Sequence, residues 1–167
     1  ITFCMSQTAT SVKALKIDLS KAKDNALVIG FLKNNLSLSG ELKKLDKVLD
    51  NIISLFIKNK DFNGERGEIK SAYLNKNFKN IILVGLGEVE KYGFDVLSNT
   101  IADVSKRLRD NSTVSFSVYL ESFKNSKFSD EETVEKIALS SLMGLYKFTE
   151  YKTKDKDKIK KVREITI

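Results

Sequence analysis

The chain has 167 residues, which is enough for one domain with a sizeable core. Apolar residues make up 41% and charged residues 31%, the composition of a soluble, globular protein. There is no His and one Cys, Cys4, which excludes imidazole catalysis, His metal ligands, a Cys-rich zinc site and an internal disulfide.

In chain order, Val12, Ala14, Leu15, Ile17 and Leu19 form a short, partly alternating stretch that predicts a half-buried strand. Asn25-Ala-Leu-Val-Ile-Gly-Phe31 is a continuous apolar run, which predicts a strand covered on both faces. A loop rich in Asn, Ser and Gly follows. Leu42, Leu45, Leu49, Ile52 and Phe56 then recur at helical spacing, with Lys43, Lys44, Asp46, Lys47 and Asp50 opposite. This predicts one helix ending near Lys58-Asn59. Asp61–Gly67 has turn chemistry, and Glu68–Leu74 predicts a strand with Ile69, Ala72 and Leu74 as its apolar members. Ile81–Leu86 is the most apolar run and reads as a central strand. Gly93-Phe-Asp95 opens a second helix, with Leu97, Ile101, Val104 and Leu108 on one face. Arg107 and Arg109 fall in its last turns, where cations suit the helix dipole. Thr113–Leu120 alternates, placing Val114, Phe116, Val118 and Leu120 on the core side of a strand. Ser129-Asp-Glu-Glu132 is a capping box opening a third helix. Its apolar face runs through Val134, Ile137, Ala138, Leu142, Leu145 and Phe148. Val162–Ile167 predicts a last strand. Strands alternating with long helices indicate a three-layer α/β domain with a mixed sheet flanked by helices.

The formal charge of +7 is unevenly spread. Lys152, Lys154, Lys156, Lys158, Lys160, Lys161 and Arg163 crowd one segment, against Asp155 and Asp157. A phosphate-contacting patch would use Lys154, Lys156, Lys158, Lys160, Lys161 and Arg163. Against this, Asp interrupts the run and no aromatic is interleaved for base stacking, which describes a solvated Lys-rich loop. No apolar run approaches the ~18 residues of a membrane helix, and no signal peptide is recognisable. A reduced, cytoplasmic setting is expected. Ile1–Cys4 precede Met5, a candidate start. Residues 1–11 are expected to be a disordered extension and residues 12–167 a single domain.

Few motifs offer chemistry. Gly85-Leu-Gly-Glu88 sits where a dinucleotide fold places its phosphate turn, but the sixth position is Glu90 rather than Gly, and Glu88 and Glu90 repel phosphate. These small residues are expected to let the chain leave a central strand sharply. Glu131, Glu132 and Glu135 suit a helix N-terminus better than a metal. Ser140-Ser141 has no His partner and no nucleophile-elbow setting. The residues assign no catalytic, cofactor or metal ligand to this chain.

Several segments carry a resemblance when taken in order. They are Asp24-Asn-Ala-Leu-Val-Ile-Gly-Phe31, Leu45-Asp46 with its apolar helix, and Phe62-Asn-Gly-Glu-Arg-Gly-Glu68. Ile81-Ile-Leu-Val-Gly-Leu-Gly87 and Gly144-Leu-Tyr-Lys-Phe-Thr-Glu-Tyr-Lys152 follow. From about Leu15 to Ile167, the chain resembles the N-terminal domain of the leucyl (cytosol) aminopeptidase family of metallopeptidases. The resemblance implies a macro-domain-like α/β fold. It also implies a C-terminal catalytic domain elsewhere, holding two divalent metals (zinc, manganese or magnesium) on a motif of the Asn-Thr-Asp-Ala-Glu-Gly-Arg type, which this sequence lacks. The family assembles as hexamers, its N-terminal domain helps assembly, and in some bacterial members that domain contributes to DNA binding. The expected function is therefore a non-catalytic domain of an enzyme releasing N-terminal residues such as Leu from peptides. A DNA-binding module using the basic stretch is the alternative. A macro-type ADP-ribose site near Gly85–Gly87 rests on fold analogy alone.

Overall fold

The computed structural model describes residues 10–16, 18–19, 23–38, 40–74, 76, 78–146 and 161–167. Six strands form one sheet: β1 (Ser11–Lys13), β2 (Ala26–Leu32), β3 (Ile69–Tyr73), β4 (Asn80–Gly87), β5 (Ser115–Val118) and β6 (Glu164–Thr166). Four helices complete the fold: α1 (Gly40–Val48), α2 (Ile52–Lys58), α3 (Phe94–Asp110) and α4 (Asp130–Leu145). The strand order is β1-β6-β5-β2-β4-β3. Every pairing is parallel except that of β3 with β4. The sheet is mixed, as expected, because one antiparallel edge strand closes an otherwise parallel core. The strand expected from Val12, Ala14, Leu15, Ile17 and Leu19 is shorter than read: β1 covers Ser11–Lys13, Leu15 lies outside it at 53% exposure, and Thr10 Oγ1 donates to Val162 O at 2.8 Å, tying the residue before β1 to the segment that leads into β6.

The two continuous apolar runs are buried on both faces, and their alternation divides the core in two. Ala26 and Val28 of β2, with Ile82, Val84 and Leu86 of β4, pack against Leu97, Ile101, Val104 and Leu108 of α3 and Ile137 of α4. Leu27, Ile29 and Phe31, with Ile81 and Leu83, face Leu42, Leu45, Leu49 and Ile53 on the other side. Side-chain alternation of period two makes each central strand serve two helical layers. Phe62 and Phe78, both fully buried, extend the second layer beyond the helices.

Three further expectations need correction. The single helix over residues 42–56 is two helices. Asp50 and Asn51 take left-handed backbone (φ 58° and 60°), a region that Asn and Asp tolerate better than other side chains. The apolar spacing survives the break, because Leu45, Leu49 and Ile53 all stay buried. Asp46, assigned to the polar face, is 2% exposed. Its carboxylate accepts from Ile53 N at 2.9 Å, from Ser54 N and from Ser54 Oγ. It thus caps the start of α2 from within α1, satisfying N–H groups left without helical partners. The third correction concerns β5. Val114 is 46% exposed and lies outside the strand, while Ser117 is buried and donates to Asp24 Oδ2.

Asp46→Ala is expected to cost about 1–3 kcal/mol, the range for losing a cap together with buried hydrogen bonds. Urea unfolding monitored by circular dichroism would read it, and an unchanged midpoint would show that water satisfies the start of α2 instead.

Candidate functional site

Open α/β sheets take ligands in the crevice beyond the carboxyl ends of their parallel strands. Here that end is built by Leu32 and Lys33 where β2 stops, Gly87 and Glu88 where β4 stops, and Tyr119 just past β5. The loop Phe62–Gly67 lies directly on β4. Gly87 N donates to Gly64 O at 2.9 Å, Gly67 N to Gly85 O at 3.1 Å and Gly85 N to Glu68 O at 2.8 Å. The Glu68 carboxylate accepts from Asn63 N and Glu65 N, both at 3.0 Å, and so holds the loop's own curve. An ideal Cβ on Gly85 would stand 1.9 Å from Glu65 O. Gly87 has φ 76°, the sharp exit that the sequence suggests, and its carbonyl accepts from Lys33 N at 2.9 Å. Gly85-Leu-Gly87 therefore serves the approach of another backbone segment.

The β2–β5 side of the crevice is occupied by side chains. Phe123 is fully buried against Gly30, where an ideal Cβ would meet its ring at 2.9 Å. Ser122 Oγ accepts from Gly30 N at 2.9 Å and donates to Tyr119 O at 2.7 Å, continuing the ladder past the end of β5. Tyr92 Oη donates to Phe123 O at 2.7 Å and fixes the plug from behind.

Ion pairs rim this end: Lys33–Glu65 at 2.8 Å, Lys91–Glu88 at 2.7 Å, Arg66–Asp95 at 3.4 Å, and Lys124 between Glu121 and Asp130. Most of these side chains are well exposed, so each pair adds little stability. Bonds to Asp130 and Glu121 push Lys124 up to about 12, and the bond to Glu65 raises Lys33. The bond to Lys91 lowers Glu88. Burial raises the Tyr92 phenol well above its ordinary value.

A raised folded value gives stability that is whole below the unfolded value and lost as pH rises through the folded one. For Tyr92, Lys33 and Lys124 the ordinary values are 10.0, 10.5 and 10.5. Melting temperature is therefore expected to hold to about pH 10 and then fall through pH 12. Tyr92→Phe should start lower by roughly 1 kcal/mol for the lost hydrogen bond and then fall less steeply with pH. Equal alkaline slopes in melts from pH 8 to 12 would contradict this role.

The other candidates are dispersed. Lys154, Lys156, Lys158 and Lys160 lie outside the described residues, as do Cys4 and Phe148. Lys161 and Arg163 are exposed on either side of buried Val162. The Arg163 backbone belongs to the sheet, donating to Val114 O at 2.7 Å and accepting from Ser11 N at 2.9 Å. Glu132 completes the capping box with Ser129. Ser140 and Ser141 are buried among core residues. Among the described residues, no group of three His, Cys, Asp or Glu side chains is placed to hold a metal ion, and no helix is long and apolar enough to cross a membrane.

Arg109 has a different partner from the one its position in the sequence suggests. It is 8% exposed, and its Nη1 donates to Gly144 O at 3.2 Å, Leu145 O at 3.3 Å and Tyr146 O at 3.1 Å. It caps the C-terminus of α4, not of its own helix. Nothing in the local pattern of α3 could have identified this partner.

The cytosol aminopeptidase family's N-terminal domain matches this chain over residues 28–155. A probable cytosol aminopeptidase of Wolbachia pipientis is 29% identical over 162 residues, covering 95% of this chain and 29% of its own length. One from Aquifex aeolicus is 29% identical over 157 residues, covering 93% of this chain and 31% of its own length. The chain thus spans under a third of these curated relatives. Among solved structures, a variant of tomato leucine aminopeptidase superposes with a TM-score of 0.79 at 17% identity, covering 99% of this chain and 34% of that one. The macrodomain of Mycobacterium tuberculosis DarG superposes at 0.65 with 13% identity, covering 95% and 97%. At these identities the two structures establish a macro-like fold.

Proposed function

The chain belongs to the cytosol aminopeptidase family, as its N-terminal domain, and we propose that it is the non-catalytic front domain of a leucyl-type metalloaminopeptidase. The parent would release N-terminal residues such as Leu from peptides by attack of metal-activated water. Its setting is the cytoplasm, in keeping with the cytosolic names of its relatives.

The observation that carries this reading is the family match over residues 28–155 in a chain that spans under a third of its relatives' length. The whole sequence offers no His and one Cys, and no triad of possible ligands comes together among the described residues. Several carboxylates have structural duties instead: Asp46 caps α2, Glu68 curves the loop over β4, and Glu132 closes the capping box of α4 by accepting from Ser129 N. The family's two divalent metals do not fit these residues. They would be held in the C-terminal catalytic domain, outside this chain.

The domain's own part would be assembly, within a homo-hexameric parent. Leu139 and Met143 are 44% and 75% exposed one turn apart on the outer face of α4, and Tyr146, 66% exposed, follows at its C-terminal cap. A contiguous apolar stripe of this kind suits burial against more protein. The test is hydrolysis of a leucine anilide by the purified chain, with Mn²⁺ or Zn²⁺ supplied. No turnover above buffer is expected; metal-dependent turnover would place the chemistry in this domain and end the reading.

A further inference from the structure

The corner between α1 and α2 carries an open groove of about 350 Å³. Its floor includes Leu36 and Leu38, from the loop before α1, and Ile57 of α2. Its rim includes Lys43 and Lys47, one helical turn apart on α1, and Lys58 at the end of α2. All three lysines are exposed. Among the described residues none of them has a carboxylate within ion-pair distance. Among the described residues Asp46 is the single carboxylate of the lining, and it is buried and spent on the start of α2. The groove therefore joins three exposed lysines, with Asn51 and Ser54, to three half-buried apolar side chains, and the Asp46 cap holds its α1–α2 corner in shape. Its volume is at the small end for a ligand site and suits one or two residues.

We propose that this groove binds the C-terminal end of a peptide whose last residue is apolar. The side chain would rest on Leu36, Leu38 and Ile57, and the terminal carboxylate would sit between the lysines. Lysine is a point charge with freely turning donors, which suits a single carboxylate approached from solvent. The apolar floor selects against nucleic acid. A polyanion needs a track of cations, and single strands need aromatic faces to stack on, whereas among the described residues no aromatic side chain lines this groove. The site differs from the crevice beyond the strands, from the α4 stripe and from the basic stretch at residues 152–163. It stands whether or not the parent cleaves peptides.

The test is an NMR titration of the whole chain with N-acetyl-Ala-Leu as the free acid, and separately as its C-terminal amide. The acid should shift the backbone amides of Leu36, Leu38, Lys43, Lys47 and Ile57, and bind at least tenfold more tightly than the amide. Added salt should weaken the acid alone. Lys47→Gln with Lys58→Gln should cost another tenfold, and because both positions are exposed, amide signals elsewhere should stay in place. Equal binding of acid and amide, no binding of either, shifts centred elsewhere, or no effect of the double substitution would each overturn the proposal. So would a short DNA duplex that shifts the same amides at lower concentration than the acid does.

Discussion

A Gly85→Ala chain is expected to lose at least about 3 kcal/mol of stability, placing it in the severe tail of single substitutions. The added methyl would stand 1.9 Å from Glu65 O and 2.7 Å from Gly64 C. Both contacts are backbone, so no side chain can swing aside. Relief requires the Gly64–Gly67 loop to lift from β4. That would break the bonds from Gly87 N to Gly64 O and from Gly67 N to Gly85 O, and would separate Lys33 from Glu65. Phe62, fully buried at the head of the loop, would be pulled from the second core layer. For a domain of this size, 3 kcal/mol corresponds to a fall of roughly 6–12 °C in melting temperature. A fall under 2 °C would mean that the loop is not seated on β4 in solution. Gly67→Ala is the control: an added methyl there meets nothing within 4 Å, although φ of 80° makes it strained. It should cost about 1 kcal/mol, from backbone strain alone.

Gly144→Ala should cost about 2–4 kcal/mol for a related reason in another layer. The helices α3 and α4 meet through small residues, and a methyl on Gly144 would come within 2.3 Å of Ala102 O and 2.8 Å of Ala102 Cα. Ser105 and Ser141, both fully buried, show how closely the two helices are packed. Separating the helices would also lengthen the three bonds from Arg109 Nη1 to the end of α4. The effects of Gly144→Ala and Arg109→Ala should therefore be non-additive, because both break the same seam. Guanidinium unfolding of the two single variants and the double variant measures this. Strict additivity would show that the arginine cap and the close contact are independent.

The elements best read from sequence are those whose environment is uniform along their length. Ala26–Phe31 and Ile81–Leu86 are apolar without alternation because helices or loops cover both faces, and both are central strands. Ser129 and Glu132 form their capping box locally, so the start of α4 was legible from four residues. What was missed depends on contacts distant in sequence. The helix break at Asp50-Asn51 hides behind apolar spacing that carries across it, and the pair's tolerance of left-handed backbone was the available signal. Asp46 has the spacing of a surface residue and becomes buried only when α2 folds back onto it. Gly85 looked like an exit from a strand, yet what requires it is a loop some twenty residues earlier. Arg109 serves a helix end some thirty-five residues later. The family was legible from the order of motifs, which the match over residues 28–155 bears out. Most of the basic stretch lies outside the described residues.

Under the proposed division of labour, this domain would scaffold and the metal chemistry would lie elsewhere in the same polypeptide. The relatives are more than three times the length of their matched segments, which makes the claim directly testable. The measurement is to read the source coding sequence beyond the codon for Ile167. The expected result is an open frame running on through a segment of the Asn-Thr-Asp-Ala-Glu-Gly-Arg type, with a catalytic Lys. A stop codon shortly after Ile167 would contradict the claim and leave this domain to act by binding alone.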